Sequence, residues 1–194
     1  MTLRYPEGAT PLDPDSAVDL LPDLSTQAEL NEFESRNILL AERWALRSRM
    51  VRRDHPSIGA LRELHRRMFD QTWRWAGQFR RTDTNIGAPW QRITADLHTL
   101  CGDVHYQAEH AVYEWPECAV RFHHRLVSIH PFPNGNGRHA RLAADLLLSG
   151  HGQQRFTWGS QSLLADGAAR REYLAALRAA DGGDITRLAT FARS

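Results

Sequence analysis

The chain has 194 residues, a length that suits one domain with a short extension. Apolar residues make up 42% and charged residues 24%, which is ordinary globular composition and excludes a disordered or fibrous chain. The 24 Lys and Arg residues balance 23 Asp and Glu residues, so no global charge favours nucleic acid or an anionic membrane.

Residues 1–24 are predicted to form a loosely ordered extension, because prolines interrupt any helical pattern there. The stretch lacks the apolar core of a signal peptide. The longest apolar run, residues 142–148, contains Asp145 and is too short to cross a bilayer. We therefore expect a cytoplasmic protein without a membrane partner.

Residues 25–54 are predicted to hold an N-terminal helix. Thr26 and Glu29 have the spacing of a capping box, in which the threonine caps the helix and the glutamate reaches back to its start. Apolar residues then follow at helical spacing as far as Trp44.

Residues 55–194 are predicted to form the main domain. Apolar residues at helical spacing predict helices over residues 57–72, 94–110, 116–130, 138–148 and 168–180. Between residues 78 and 93 the pattern becomes irregular and rich in turn residues, and we predict a short β-hairpin flap. The expected fold class is all-α, with one small β-hairpin before the helix pair that flanks residues 131–137.

The segment from His130 to Arg141, His-Pro-Phe-Pro-Asn-Gly-Asn-Gly-Arg-His-Ala-Arg, carries the strongest chemical signal. A turn with two glycines leads into a helix N-terminus, where main-chain N–H groups and the helix dipole attract an anion. Arg138 and Arg141 lie in the first turn of this helix, where a cation costs about 0.3–1 kcal/mol unless an anion compensates. Because a guanidinium binds phosphate with two hydrogen bonds, we predict a polyphosphate ligand.

His130 lies just before this turn, at the end of the preceding helix. A chain reversal would bring its imidazole near the phosphate site, where a general base must lie to activate a hydroxyl for attack on phosphorus. The alternative is a plain helix–turn–helix connection with surface arginines. The coincidence of a base candidate, a glycine turn and two arginines favours the nucleotide site.

Other residues of interest favour structural roles. The histidines form no His-x-x-x-His pair, and Cys101 and Cys118 have no ligand spacing, so a structural metal is not expected. Trp73, Trp75 and Trp90 have no accompanying basic stripe, so we expect packing and no nucleic-acid partner.

The segment His130 to Arg141 closely resembles the Fic-family signature His-Pro-Phe-x-(Asp/Glu)-Gly-Asn-Gly-Arg-x-x-Arg. Residues 75–80, Trp-Ala-Gly-Gln-Phe-Arg, resemble the segment that precedes the family's flap. Arg171, Tyr173 and the pair Gly183-Asp184 resemble the family's closing helix. Over residues 25–194 the chain is similar to the Fic proteins called mobile mystery protein B.

The resemblance implies a Fic-type helical bundle and a protein nucleotidyltransferase. Such an enzyme transfers AMP from ATP to a Ser, Thr or Tyr hydroxyl of a target protein, with Mg²⁺ as the metal. His130 would be the base and Phe132 the anchor of the loop. The nucleotide would be bound by Gly135, Asn136, Gly137, Arg138 and Arg141. The flap would dock the target by strand-like pairing through Thr82, Asp83, Thr84, Asn85, Ile86 and Gly87.

Asn134 departs from the family pattern, because it replaces the acidic residue that holds Mg²⁺. A neutral amide oxygen is a weaker ligand for this hard cation. The alternative functions are therefore a weakly active or non-catalytic nucleotide-binding regulatory module, or transfer of another phosphate-linked group. The target protein, the donor base and association into homo-oligomers stay open.

Glu34 lies on the N-terminal helix, which the resemblance makes a candidate regulatory segment. Many Fic proteins carry an inhibitory helix whose glutamate pairs with the second signature arginine, here Arg141. The residues around Glu34 do not fit the inhibitory pattern. Glu34 is therefore either inhibitory or a plain solvated acid.

Overall fold

The computed structural model describes residues 18–159, 163 and 167–194, so most of the predicted extension over residues 1–24 lies outside the described residues. Within the described ranges the chain forms eight α-helices and a 3-10 turn at Trp90–Arg92. The helices are α1 (Gln27–Ala45), α2 (Arg49–Asp54), α3 (Ile58–Phe69), α4 (Ile93–Glu109), α5 (Trp115–Ile129), α6 (Asn136–Gly150), α7 (Ala168–Asp181) and α8 (Thr186–Arg193). None of these helices has the length and apolar character needed to span a bilayer.

The predicted capping box starts α1. The Thr26 hydroxyl accepts the Glu29 N–H at 3.2 Å, and the Glu29 carboxylate accepts the Thr26 N–H at 2.9 Å. The helix ends at Ala45, and Ser48 caps a separate short helix, α2. Residues 25–54 therefore contain two helices, where the sequence predicted one.

The buried face of α1 is partly polar. Leu30 and Ala41 are buried on it, and so are Glu34 and Asn37. The Asn37 amide donates to the Thr72 hydroxyl at 3.2 Å, so the polar groups of this face have specific partners. Helix α1 packs on α3, which places Glu34 in the interior.

The centre of the fold is the pair α5 and α6, which pack against each other and are joined by residues 130–135. Helix α4 packs on α5 and α3 packs on α6. The largest fully buried side chains of this core include Phe69, Phe122 and Phe132. The all-α class is confirmed, and the short loop between α5 and α6 holds the candidate site.

The predicted β-hairpin flap is wrong in its secondary structure, because residues 78–89 form bends and irregular loop in which no strand is found. The main chain of this segment pairs with the end of α5 and with the loop that follows it. The Arg80 N–H donates to the Pro131 carbonyl at 3.0 Å, and the Ala88 N–H donates to the Ile129 carbonyl at 3.2 Å. These distant partners replace the cross-strand bonds of a hairpin.

Candidate active site

His130 ends helix α5 in the left-handed conformation, with φ 54° and ψ 59°. A non-glycine residue is uncommon there, and such residues concentrate at functional sites. This backbone turn directs the chain from α5 into the loop before α6. The side chain is 6% exposed and its ring hydrogen-bonds to the Val127 carbonyl.

The imidazole of His130 is held neutral. Burial, and after it the positive charge of Arg80, lower its pKa to about 4, although the bond to the Val127 carbonyl acts in the opposite direction. At neutral pH the ring therefore carries no proton beyond its single N–H. A general base needs this form, because a protonated imidazole accepts no further proton.

Gly135 starts α6 in the left-handed region, with φ 78°. A Cβ atom at this position would lie 2.5 Å from the Phe69 ring, so only glycine fits. The first N–H groups of a helix have no partner inside the helix, and the dipole makes this end positive. The start of α6 is therefore suited to an anion.

The side chain of Asn136 is buried and is used within the loop. Its carbonyl accepts the Phe132 N–H at 2.9 Å, and its NH₂ group donates to the Phe132 carbonyl at 2.8 Å. The side chain therefore fixes the loop, and what Asn136 can offer a phosphate is its main-chain N–H.

Phe132 lies in the core, as predicted for the loop anchor, and is fully buried. It stacks on the ring of His65, with the centroids 3.7 Å apart. His65 accepts the Gly77 N–H at its Nδ1 atom and donates from Nε2 to the Asn134 carbonyl, both at 3.0 Å. His65 is thus a scaffold for the loop that sequence reasoning missed, although a histidine within an apolar stripe was the available signal.

Arg138 is already engaged in this structure. Its Nη1 atom lies 2.5 Å from the Glu34 Oε2 atom, and its guanidinium lies 4.9 Å from the centre of the Phe69 ring. Glu34 also accepts the indole N–H of Trp73 at 2.7 Å. The carboxylate of Glu34 therefore supplies a negative charge at the start of α6, beside the predicted phosphate site.

The interpretation of Glu34 as a plain solvated acid is wrong, because only 4% of the residue is exposed. The partner expected for an inhibitory glutamate was Arg141, whereas the partner found is Arg138. The reason is geometric: Glu34 lies one turn after Leu30 on the face of α1 that packs on α3 and reaches the first arginine. An inhibitory role for Glu34 stays a prediction.

Arg141 lies against Tyr173, with the guanidinium 5.4 Å from the ring centre and a side-chain hydrogen bond to the hydroxyl. The same hydroxyl lies 3.1 Å from the Nε2 atom of the buried His123. The Arg141 guanidinium also lies near Gly137, since a Cβ on that glycine would meet Nη1 at 3.7 Å. Arg141 thus lies beside the glycine turn, and its role as a phosphate ligand stays a prediction.

Asn134 fits poorly as a ligand for Mg²⁺. Its side-chain oxygen accepts the N–H of Gly135 at 2.7 Å, which stabilises the turn. Among the residues that the structure describes, no group of three His, Cys, Asp or Glu side chains could hold a metal ion. A neutral oxygen that already accepts a hydrogen bond is a weak ligand for this cation.

The loop over residues 82–87, here called the flap, lies directly over His130. Gly87 has φ 111°, and a Cβ atom there would lie 2.6 Å from the Cβ of His130. Five of the six predicted docking residues are exposed, and Thr84 is half-buried. The loop thus offers an accessible surface next to the base, although it is not a strand.

The structure brings together the residues that the sequence predicted for catalysis and for binding: a neutral imidazole, a glycine turn at a helix N-terminus and two guanidinium groups. This arrangement is the candidate active site. Residues 56–148 match the model of the Fic/DOC family. The chain therefore contains a Fic/DOC family domain.

The curated proteins that resemble the chain include the following two. A protein adenylyltransferase Fic from Culex quinquefasciatus is 31% identical over 136 residues, which cover 68% of this chain and 26% of that protein. A uridine 5'-monophosphate transferase from Xanthomonas campestris pv. campestris is 58% identical over 36 residues, 19% of this chain and 7% of that protein. The chain thus spans about a quarter of the first relative and a small part of the second. Both of these proteins are named as transferases of a nucleotide group.

Solved structures share the fold. A Fic-domain signaling protein from Bacteroides thetaiotaomicron has a TM-score of 0.69 at 19% identity, covering 87% of this chain and 70% of that chain. The BepC protein from Bartonella tribocorum, solved with bound AMPPNP, has a TM-score of 0.62 at 18% identity, covering 88% and 87%. At these identities the likeness establishes the Fic fold alone.

Proposed function

We propose that the domain is a protein adenylyltransferase, which moves AMP from ATP to a Ser, Thr or Tyr hydroxyl of a target protein. The observation that carries this proposal is the neutral imidazole of His130, set beside a helix start that bears Arg138 and Arg141. A polyphosphate and a base in one site are what transfer of a nucleotide to a hydroxyl requires.

The reaction follows from the roles of these residues. The hydroxyl oxygen of the target attacks the α-phosphorus of ATP, and His130 takes the hydroxyl proton. The bond between the α-phosphorus and the oxygen that bridges to the β-phosphate breaks, and pyrophosphate leaves. The main-chain N–H groups of Asn136 and Gly137 and the two guanidinium groups stabilise the negative charge of the phosphates, while the N–H of Gly135 is donated to Asn134.

ATP is the proposed donor. The name of the Culex relative, a protein adenylyltransferase, supports it. We propose that Mg²⁺ is bound mainly by the phosphates of the nucleotide and only weakly by Asn134, because the amide oxygen is a poor ligand. No catalytic step is assigned to the metal.

UMP transfer is the second candidate, and the short but 58% identical match to the Xanthomonas enzyme favours it. A weakly active or non-catalytic nucleotide-binding module is the third, and Asn134 favours it. The proposals differ in which labelled nucleotide is incorporated into protein.

The deciding experiment incubates the protein with ATP, GTP, UTP or CTP, each labelled in the α-phosphate, and a host-cell lysate. We expect label from ATP in at least one target protein, and none with His130→Ala. Label from UTP alone would replace the AMP proposal with UMP transfer. Donor binding without transfer from any of the four would favour the non-catalytic module.

A further inference from the structure

Arg80 is a buried cation with a specific set of partners. Only 4% of the residue is exposed, and its guanidinium donates to four main-chain carbonyl groups. A guanidinium has five N–H donors in a rigid plane, so these bonds use most of its capacity. The carboxylate nearest to it, that of Asp83, is 3.7 Å away and largely exposed.

Two of the four carbonyl groups belong to the end of helix α5. Nε donates to the carbonyl of His130 at 2.7 Å, and Nη2 reaches that of Ile129 at 3.4 Å. The last carbonyls of a helix lack partners within it and carry a partial negative charge, so a cation stabilises them. Arg80 therefore caps the helix that carries the base, at the base itself.

The other two carbonyl groups lie at the first residue of the flap and at the residue just after its end. Nη1 donates to the carbonyl of Thr82 at 2.8 Å, and Nη2 donates to that of Ala88. The Asp83 carboxylate accepts the Trp90 N–H at 2.9 Å, which closes the loop on its outer side. One side chain thus joins both limbs of the flap to the end of α5.

We propose that Arg80 is a positioning residue for the transfer reaction: it fixes the flap and His130 relative to each other, so that a target hydroxyl aligned by the flap meets the imidazole. The inference rests on the proposed function. Gly87 lies against His130 as a consequence, and this close approach leaves no room for a shift of the loop toward the base.

Lysine cannot replace this arginine in the proposed role. A lysine ammonium keeps the charge but is a single point donor, whereas the four carbonyls require donors spread over a planar fork. Arg80→Lys therefore removes most of the hydrogen bonds while it keeps the positive charge. Arg80→Gln removes the charge, which is one of the two causes that lower the pKa of His130.

Arg62 provides the matched control. It donates from Nε to the Gly77 carbonyl at 3.0 Å and lies 5.4 Å from the centre of the Phe79 ring, but it is exposed and contacts neither the flap nor α5 among the described residues. Arg62→Lys removes a similar hydrogen bond, whose acceptor Gly77 lies shortly before the flap in the chain. This variant therefore measures the general effect of losing an arginine–carbonyl bond in this region.

Three measurements test the role in Arg80→Lys, Arg80→Gln, Arg62→Lys and the parent protein. They are hydrogen exchange of the Ala88 amide, the pKa of the His130 ring by NMR titration, and the steady-state kinetics of AMP transfer to an identified target. We expect fast Ala88 exchange in both Arg80 variants only. The pKa of His130 should rise clearly in Arg80→Gln and less in Arg80→Lys, which keeps the charge.

In the kinetics we expect both Arg80 variants to lose kcat/KM for the target by about 100-fold, the effect of misplacing reacting groups by about 1 Å. The Kd of a non-hydrolysable ATP analogue should stay unchanged, because Arg80 contacts the flap and not the glycine turn. If Arg80 has only a structural role, its variants should raise the Kd of the ATP analogue as well as lower kcat/KM for the target. That result would overturn the proposal.

A measurement on the parent covers the case in which the variants do not fold. The Nε–H of Arg80 should exchange far more slowly than that of the exposed Arg62, and equal rates would overturn the proposed contacts. Parental kinetics in Arg80→Lys would overturn the role of Arg80 alone. An inactive parent with a slowly exchanging Ala88 amide would instead overturn the transfer reaction, and with it any role for Arg80 in that reaction.

Discussion

Under the proposed function, Glu34 and the phosphate of a bound nucleotide would compete for the same guanidinium at the start of α6. The carboxylate lies 2.5 Å from Arg138 and is buried, so this ion pair is little weakened by solvent. A phosphate that binds Arg138 must therefore displace or share the contact. This gives the candidate regulatory helix a direct means of lowering donor affinity.

We expect Glu34→Gln to tighten the binding of an ATP analogue by up to about tenfold, equivalent to about 1.4 kcal/mol, and to raise self-modification. The amide keeps an oxygen for the Trp73 indole N–H while removing the charge that holds Arg138. Calorimetric titration measures the affinity. Glu32→Gln, at an exposed position of the same helix, is the control. Weaker donor binding in Glu34→Gln would indicate that Glu34 orients Arg138 and does not inhibit.

Asn134→Asp tests whether the neutral amide limits metal use. The substitution preserves the shape of the turn and adds an anionic oxygen, the ligand type that Mg²⁺ prefers. We expect the Mg²⁺ concentration for half-maximal AMP transfer to fall about tenfold. A time course of label incorporation at several Mg²⁺ concentrations measures it. Slower transfer at every concentration would mean that the amide suits a different donor or a non-catalytic role.

Which residues lie at the site could largely be predicted from the sequence, because the signature residues are close together in the chain. The residues that these side chains contact could not be predicted. Glu34 and Arg138 are 104 positions apart, and Arg80 and His130 are 50 apart. Contacts of this kind depend on how helices pack, which local spacing does not specify.

At the scale of elements, the turn between α5 and α6 depends on one glycine conformation. Gly135 has a positive φ, and its Cα lies close against the Phe69 ring. The anion site needs this geometry, because it sets the direction in which the first N–H groups of α6 point.

We expect Gly135→Ala to lower the free energy of unfolding by about 2–4 kcal/mol, since strain in the left-handed region adds to displacement of the Phe69 ring. Gly102→Ala is the matched control. Gly102 lies inside α4, where an added Cβ meets no neighbouring atom within 4 Å, so alanine should stabilise by about 0.5–1 kcal/mol. Urea unfolding measures both. Equal stability of Gly135→Ala and the parent would contradict the proposed strain.

Local sequence signals predicted the elements that depend on local chemistry. The capping box of α1 and the helices α4, α5 and α6 were expected within about two residues of their ends. The loop over residues 78–89 was not predicted correctly, because its turn residues suggested a hairpin. Its carbonyls at Thr82 and Ala88 bond to Arg80 instead. Its amides at Arg80 and Ala88 bond to the loop after α5 and to the end of α5. Arg80, which belongs to the same segment, joins this loop to the end of α5, 50 positions further along the chain.

For the whole molecule, buried histidines link stability to pH. Burial lowers the pKa of His123 and His139 to about 3 and that of His130 to about 4, and lowers that of His65 well below its ordinary value. The Nδ1 atom of His139 has no hydrogen-bond partner among the described residues, so protonation there would bury an unpaired charge.

We expect the free energy of unfolding to be highest above pH 6.5 and to fall as the pH drops from about 6.5 toward 4. The unfolded chain takes up these protons first, so each histidine contributes a slope of up to about 1.4 kcal/mol per pH unit. Asp145, whose pKa burial raises to about 6, acts in the opposite direction but is a single group. Urea unfolding at several pH values tests this. Equal stability at pH 7.5 and pH 5 would contradict it.

The central claim is that His130 acts in the chemical step of a nucleotide transfer and not in donor binding. The most direct test compares the parent with His130→Ala in two assays: incorporation of label from ATP labelled in the α-phosphate, and calorimetric titration with a non-hydrolysable ATP analogue. Loss of a general base costs about 100-fold to 10,000-fold in rate. We predict that incorporation falls by at least this factor while the Kd of the analogue stays within about twofold. Equal incorporation by the parent and His130→Ala would contradict the claim.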